Sequence, residues 1–186
     1  MMHADDDGAA AAEQAERRWG AASIAIVVLL VVMAAFAGVH QAVMPQARVE
    51  TADPTTLHIA GEFIEGNLGS ALEPDGSVTV RAIGQQYSFT PQCILLPTDT
   101  EIKIRATSAD VMHGFLIQGS NVNTMLVPGY VSTITTRFSA PSDRVMPCHE
   151  FCGAGHEGMW GRVKIIEKSE FLKRAADRRR LTCVAQ

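Results

Sequence analysis

The sequence predicts a mainly β domain, a sandwich or barrel, carried behind one N-terminal transmembrane helix. Three observations lead there. No Asp, Glu, Lys or Arg occurs from Trp19 to Ala47. Between Ser77 and Glu167 the chain breaks into short β-rich runs separated by turn residues. A chain of 186 residues holds one domain of ordinary size and is too short for two plus a membrane segment.

Residues 1–18 form an acidic leader, read as a cytoplasmic tail, with His3 in a disordered stretch. Residues 19–40 are the anchor: as a helix, the apolar run from Gly20 to Val39 spans about 30 Å, the thickness of a bilayer's hydrocarbon core. It lacks the polar face of a water-soluble amphipathic helix. A cleaved signal peptide is the competing reading, because "AFA" at residues 35–37 resembles a small-residue cleavage site. The run exceeds the usual signal core of about 7–15 residues, which favours a retained anchor. Arg17 and Arg18 precede the span and Arg48 is the near basic residue after it, so the N-terminus is placed in the cytoplasm and everything after residue 40 outside. Ala34 and Gly38 form a small-x-x-x-small pair of the kind that lets a second transmembrane helix approach.

Residues 41–76, with Pro45, Pro54 and Pro74, read as a connector. Residues 77–167 are the β domain: "SVTVRAIG", "YSFT", "CILLP", "EIKIRATS", "GFLIQGS", "VSTITTRF" and "WGRVKIIE" are the strand runs, and "PTDT", "VPGY" and "APSD" the turns. Residues 168–186 change to a charged, helix-like tail, read as a solvated helix in preference to a lipid or partner contact through Arg178, Arg179 and Arg180. A net charge of −4 gives no support to a nucleic-acid surface.

The chemistry is concentrated in "CHEFCGAGHEGM", residues 148–159, where Cys148, Cys152, His156 and Met159 spell C-x-x-x-C-x-x-x-H-x-x-M. A disulfide between the two cysteines suits an extracytoplasmic compartment but leaves His156 and Met159 idle. A structural zinc site gives the thioether no task. Thioether, thiolate and imidazole together select copper, yet a mononuclear blue-copper site needs one Cys, and this loop has two. Two thiolates on one loop suit a pair of copper ions that share them, with a histidine at each end. His156 is one, and His113, at the start of an apolar strand run, is the best second. His40, His58 and His149 read as surface or interfacial residues.

"SADVMHGF", "CHEFCGAGHEGMWG" and the preceding anchor resemble subunit II of the haem-copper respiratory oxidases, which carries the dinuclear copper centre CuA, and the single anchor and wording are most similar to the B-type branch. The resemblance implies a cupredoxin-like β-sandwich, with Cys148 and Cys152 bridging two coppers, His113 and His156 as terminal ligands, Met159 as a weak ligand, and the backbone carbonyl of Glu150 serving the other copper. It leaves open a magnesium ion near Glu150 at the subunit I boundary. It implies electrons taken from cytochrome c or a cupredoxin and passed to haem in subunit I, where oxygen becomes water and protons are pumped; this chain holds no haem. Tyr87, Phe89 and Trp160 become candidates for the point of electron uptake, and Asp110 for orienting the site or facing subunit I. Phe151, Trp160 and Met146 become a shell that limits water. The setting implied is a prokaryotic cell membrane with the copper domain on its outer face.

Cys93 reads most simply as a small buried apolar residue, and a disulfide with Cys183 stays open. So do three functional alternatives: the nitrous oxide reductase type, which needs a large catalytic domain this length does not hold, the copper subunit of a nitric oxide reductase, and a free membrane-tethered copper carrier.

Overall fold

The computed structural model describes residues 4–40, 49–177 and 180–184. His3, Arg48, Arg178 and Arg179 lie outside the described residues, and so do the membrane-orientation and tail contacts assigned to them.

The chain divides into two units, residues 1–47 and 48–186. The first contains helix α1 (Ala4–His40), whose stretch from Gly8 to His40 is long and apolar enough to cross a membrane. The helix starts well before Trp19, so residues 4–18 are not the loose leader the sequence suggested. The four alanines at 9–12 are the strongest helix formers, and Arg17 donates to Glu13 one turn earlier at 2.6 Å, which extends the helix through the polar stretch.

The second unit is built from β1 (Gly69–Leu72), β2 (Val78–Gln85), β3 (Ser88–Thr90), β4 (Cys93–Pro97), β5 (Ile102–Ser108), β6 (His113–Leu116), β7 (Asn123–Leu126), β8 (Ser132–Thr136), β9 (Ser142–Pro147), β10 (Trp160–Ile166) and helix α2 (Lys168–Asp177). One sheet runs β1-β2-β5-β8 with β3 also on β2, a second runs β4-β10-β9, and β6 and β7 form a hairpin. The pairs β2–β5 and β4–β10 are parallel, and the other strand pairs antiparallel. Val78, Val80 and Ala82 of β2, Ile102 and Ile104 of β5, Ile94 and Leu96 of β4, and Val163 and Ile165 of β10 belong to one core. In β5 and β10 the inward positions alternate with exposed or half-buried ones, whereas β4 is buried throughout.

β1, β7 and β9 were not among the expected strands. β9 opens on "SDR", which reads as turn chemistry, and its inward anchor is the fully buried Met146, opposite Gly161 of β10. β1 lies inside the segment taken for a connector, and residues 49–68 before it are not a free neck. Leu57, Phe63 and Leu68 are buried with Ile83 of β2 in a second cluster on the outer face of the large sheet. Burying each such side chain is worth about 1.5–3 kcal/mol, enough to hold the segment down. Polar contacts reinforce it. Arg105 of β5 donates to both carboxylate oxygens of Glu62, at 2.6 and 2.7 Å, and also to Glu50, while Arg81 of β2 donates to Glu62 at 2.9 Å. Burial alone would raise the Glu62 carboxyl, but the hydrogen bonds and charge of Arg105, followed by Arg81, hold it below the usual carboxylate range.

The C-terminal segment departs further from its reading as a solvated helix. α2 is amphipathic and buries Phe171 completely. Beyond it the chain returns to the domain: Leu181 pairs with Ser70 of β1, Thr182 with Ile94 of β4, and Cys183 donates to the Cys93 carbonyl at 3.1 Å. The tail thus fills the gap between the free edges of the two sheets, and a Cys93–Cys183 disulfide fastens it there. Cys93 is buried as expected, but as half of a cross-link and not as a lone apolar residue.

Candidate metal centre

β9 and β10 are antiparallel neighbours, and Pro147 faces Trp160 where they meet, so the twelve residues between them form a loop whose ends touch. Cys148 donates its N–H to the Met159 carbonyl at 3.0 Å, which brings the first thiol and the thioether to the same place. His113 opens β6, and β6 runs directly beside this loop: Phe115 bridges Cys148, and His149 donates to the Gly114 carbonyl at 2.9 Å. A β-carbon on Gly114 would fall 2.5 Å from the His149 carbonyl carbon, so only glycine lets the loop approach this closely.

The donor atoms form a chain. His113 Nδ1 lies 3.8 Å from Cys148 Sγ, Cys148 Sγ 3.8 Å from Cys152 Sγ, and Cys152 Sγ 3.6 Å from both His156 Nδ1 and Met159 Sδ. The Cys148 thiol donates to the Glu150 carbonyl at 3.2 Å. Both cysteines are free thiols, and they, His113 and Met159 are buried, with His156 half-buried. Among the described residues, His113, Cys148 and Cys152 form the group of potential metal ligands, their donor atoms all within 4.8 Å of one another. Burial, then the neighbouring Cys148 thiol and the charge of Asp110, pushes the Cys152 thiol up to about 11.

Asp110 fixes the upstream histidine. Its Oδ1 lies 2.9 Å from His113 Nε2, and its carboxylate also accepts the N–H groups of Gln86 and Val111, each at 2.7 Å. Against a burial effect that would raise it, the Gln86 N–H, then His113 and the Val111 N–H, hold this carboxyl low. An anionic Asp110 accepts a hydrogen bond from Nε2–H, leaving Nδ1, on the Cys148 side, as a bare nitrogen lone pair.

The family model for the periplasmic domain of cytochrome c oxidase subunit II matches residues 85–166, which include the whole donor cluster. Cytochrome c oxidase subunit 2 of Thermus thermophilus is 32% identical over 125 residues, 67% of this chain and 93% of that protein. The chain belongs to the cytochrome c oxidase subunit II family. It is thereby a subunit of an oxidoreductase complex. A heme-copper oxidase subunit 2 from Aeropyrum pernix is 32% identical over 92 residues, 48% of this chain and 39% of that one. A solved heme-copper terminal oxidase dimer includes a chain that superposes with a TM-score of 0.55 at 22% identity, covering 81% of this chain and 99% of that one, a likeness of fold. The fold is the expected mainly β, cupredoxin-like domain with one N-terminal apolar helix.

For a subunit II domain, the donor set fits a copper pair: two thiols from one turn, an imidazole nitrogen beside each, a thioether beside one and a carbonyl beside the other. The aromatic residues fall differently from expectation. Phe151 does not shield the site; it is 75% exposed, its ring edge-on to His156 at 5.8 Å. Trp160 is half-exposed and held by its indole N–H to the Glu157 carbonyl at 2.7 Å. Of the expected shell, Met146 is the buried member. Phe89 is 1% exposed and packs edge-on against Phe115, so it lies in the core and not at the exposed edge suggested for electron uptake. A loop residue such as Phe151 escapes the pleat, whereas Phe89 follows it inward. The Glu150 side chain is exposed. Sequence reasoning missed Gln86, whose side-chain amide donates to the Cys152 carbonyl, and Gly114. A glycine directly after His113 was the available signal for a close backbone approach; nothing marked Gln86.

Proposed function

We propose that this chain is the electron-accepting subunit of a haem-copper oxidase and holds a CuA centre, with Cys148 and Cys152 as shared ligands, His113 and His156 at the ends, and Met159 and the Glu150 carbonyl as weaker ligands. The observation that carries this is a pair of free thiols 3.8 Å apart, each with its own imidazole nitrogen at 3.6–3.8 Å. When bound, the copper pair takes up and gives back one electron at a time. The protein supplies the rest. Cys148, Cys152, His113 and Met159 are buried, and Asp110 holds His113 in the tautomer that offers Nδ1. Rigid ligands change position little when charge arrives, which keeps transfer fast in both directions.

Exposed Phe151, beside His156, together with half-exposed Trp160 and Tyr87, offers an apolar surface at which cytochrome c or a cupredoxin docks and delivers electrons. From this centre electrons pass to haem in subunit I, where oxygen is reduced to water with proton pumping. α1 crosses the membrane with its N-terminal end in the cytoplasm, and the β domain stands on the outer face of a prokaryotic cell membrane, as the periplasmic name of the matching family domain supports. The wording around His113 and Met159 favours the B-type branch. A magnesium ion at Glu150 would draw its other ligands from subunit I, because among the described residues no cluster of three metal-ligating side chains includes Glu150.

The test is the full chain in detergent, loaded with copper. Two coppers per chain and a seven-line hyperfine pattern in the paramagnetic spectrum, from one electron shared by two equivalent nuclei, are expected. A four-line spectrum, one copper, or preferential zinc retention overturns the reading.

A further inference from the structure

The two halves of the metal centre come from distant parts of the chain, His113 from β6 and Cys152 with His156 from the late loop, and one residue touches the supports of both. Gln86, in the turn between β2 and β3, gives its backbone N–H to Asp110, which holds His113, and its side-chain amide to the Cys152 carbonyl. Its neighbour Tyr87 lies under the same loop. A β-carbon on Gly155 would meet the Tyr87 ring at 2.8–3.0 Å, and one on Gly153, at φ +134°, would meet both the Gln86 amide nitrogen and the Tyr87 hydroxyl at 2.7 Å. The segment between Cys152 and His156 therefore rests directly on the β2–β3 turn, with no room for any side chain at its two glycines. Gln86 is itself exposed, so burial of its side chain does not explain its presence.

We propose that Gln86 is a positioning residue for the metal centre: its amide fixes the Cys152 carbonyl, and with it the spacing of Cys152 from His156, while its backbone fixes Asp110 and so His113. The proposal deepens the copper reading and rests on it for its consequence in electron transfer, but its structural part stands without metal. An apolar, non-proline substitution at residue 86 keeps the backbone N–H bond to Asp110 and removes only the tie to the loop, so the two halves are separable. In the absence of the amide, the loop opens more often and both thiols become more reactive.

The experiment uses the full chain in detergent, first copper-free and reduced at Cys148 and Cys152, with the rate of thiol labelling by a small aromatic disulfide as readout. Gln86→Leu is expected to raise that rate about tenfold, the loss of one net hydrogen bond to a partly buried carbonyl. Gln86→Met, similar in size, uncharged and without the N–H donors, is expected to do the same, and it remains informative if the leucine variant fails to fold. Loaded with copper, both variants are expected to shift the reduction equilibrium with a soluble one-electron mediator by about tenfold, equivalent to about 59 mV. Unchanged labelling and unchanged potential in Gln86→Met overturn the proposal. Faster labelling in a chain that fails to bind two coppers upholds the positioning role and overturns the copper reading instead.

Discussion

The loop between β9 and β10 and the edge where β1 meets β4 each carry two of the four cysteines, and they treat them in opposite ways. At the edge, Cys93 and Cys183 are 90 residues apart in sequence and are bonded. In the loop, Cys148 and Cys152 are four residues apart, free, and held 3.8 Å from each other. Proximity in the chain does not decide the outcome. At the edge, two extended segments run side by side, Cys183 donating its N–H to the Cys93 carbonyl, and the two sulfurs are bonded to each other. In the loop, each thiol faces an imidazole and a second acceptor, and the backbone around it is tied to Met159, Gly114 and Gln86. One region is closed by a covalent bond; the other presents a cluster of potential metal ligands. Elements read as peripheral, the connector and the tail, provide the self-sufficient region, and the strand scaffold provides the receptive one.

The comparison breaks most severely at Cys152. In the proposed copper centre Cys152→Ser would remove a shared ligand, and oxygen consumption of the assembled oxidase driven by an external donor is expected to fall by more than about a hundredfold, beyond the loss typical of residues that only support ligands. The Cys93–Cys183 bond and the unfolding midpoint of the copper-free chain should stay as they were; oxygen-electrode assays and denaturant titration check the two halves.

Cys183→Ser is the converse. Opening a 90-residue covalent loop is expected to cost about 4–5 kcal/mol of stability on the chain-entropy model, read from denaturant unfolding of the copper-free chain. Copper stoichiometry and hyperfine pattern should be retained under native conditions. Loss of the copper signal at unchanged secondary structure would show that the two regions are not separate.

A smaller effect is expected from Glu62→Gln, which weakens the tie of the 49–68 segment to Arg105 and Arg81: about 1–3 kcal/mol at neutral pH. The pH dependence has a fixed sign. The folded carboxyl is depressed, so its stabilising contribution is complete above the unfolded value near 4.5 and is lost as pH falls through the lower folded value. The variant should therefore lose stability less steeply on acidification than the parent, and the two unfolding curves should converge at low pH.

Much of this was legible in the residues. Seven short β-rich runs divided by turn residues announce a β domain, and soft donors crowded into twelve positions announce a metal loop. What escaped depended on pairing across long separations. Leu181 and Thr182 meet β1 and β4 through backbone atoms, which carry no residue signature, and a helix rich in charge conceals that Phe171 is its anchor. Segment 49–68 lacks any periodicity that would mark Leu57 and Phe63 as core. Phe89 and Phe151 look alike as letters, and strand against loop determines which one faces solvent.

The position of the closing strip also dictates an order of events during synthesis. A chain made from its N-terminus leaves the outer edges of β1 and β4 bare until residues 181–183 have been delivered. Translation halted before that point produces a domain with two unsatisfied strand borders, a template for joining to a neighbour's sheet. The two sheet edges are covered, and the Cys93–Cys183 bond that seals them can form, only after that strip has been delivered.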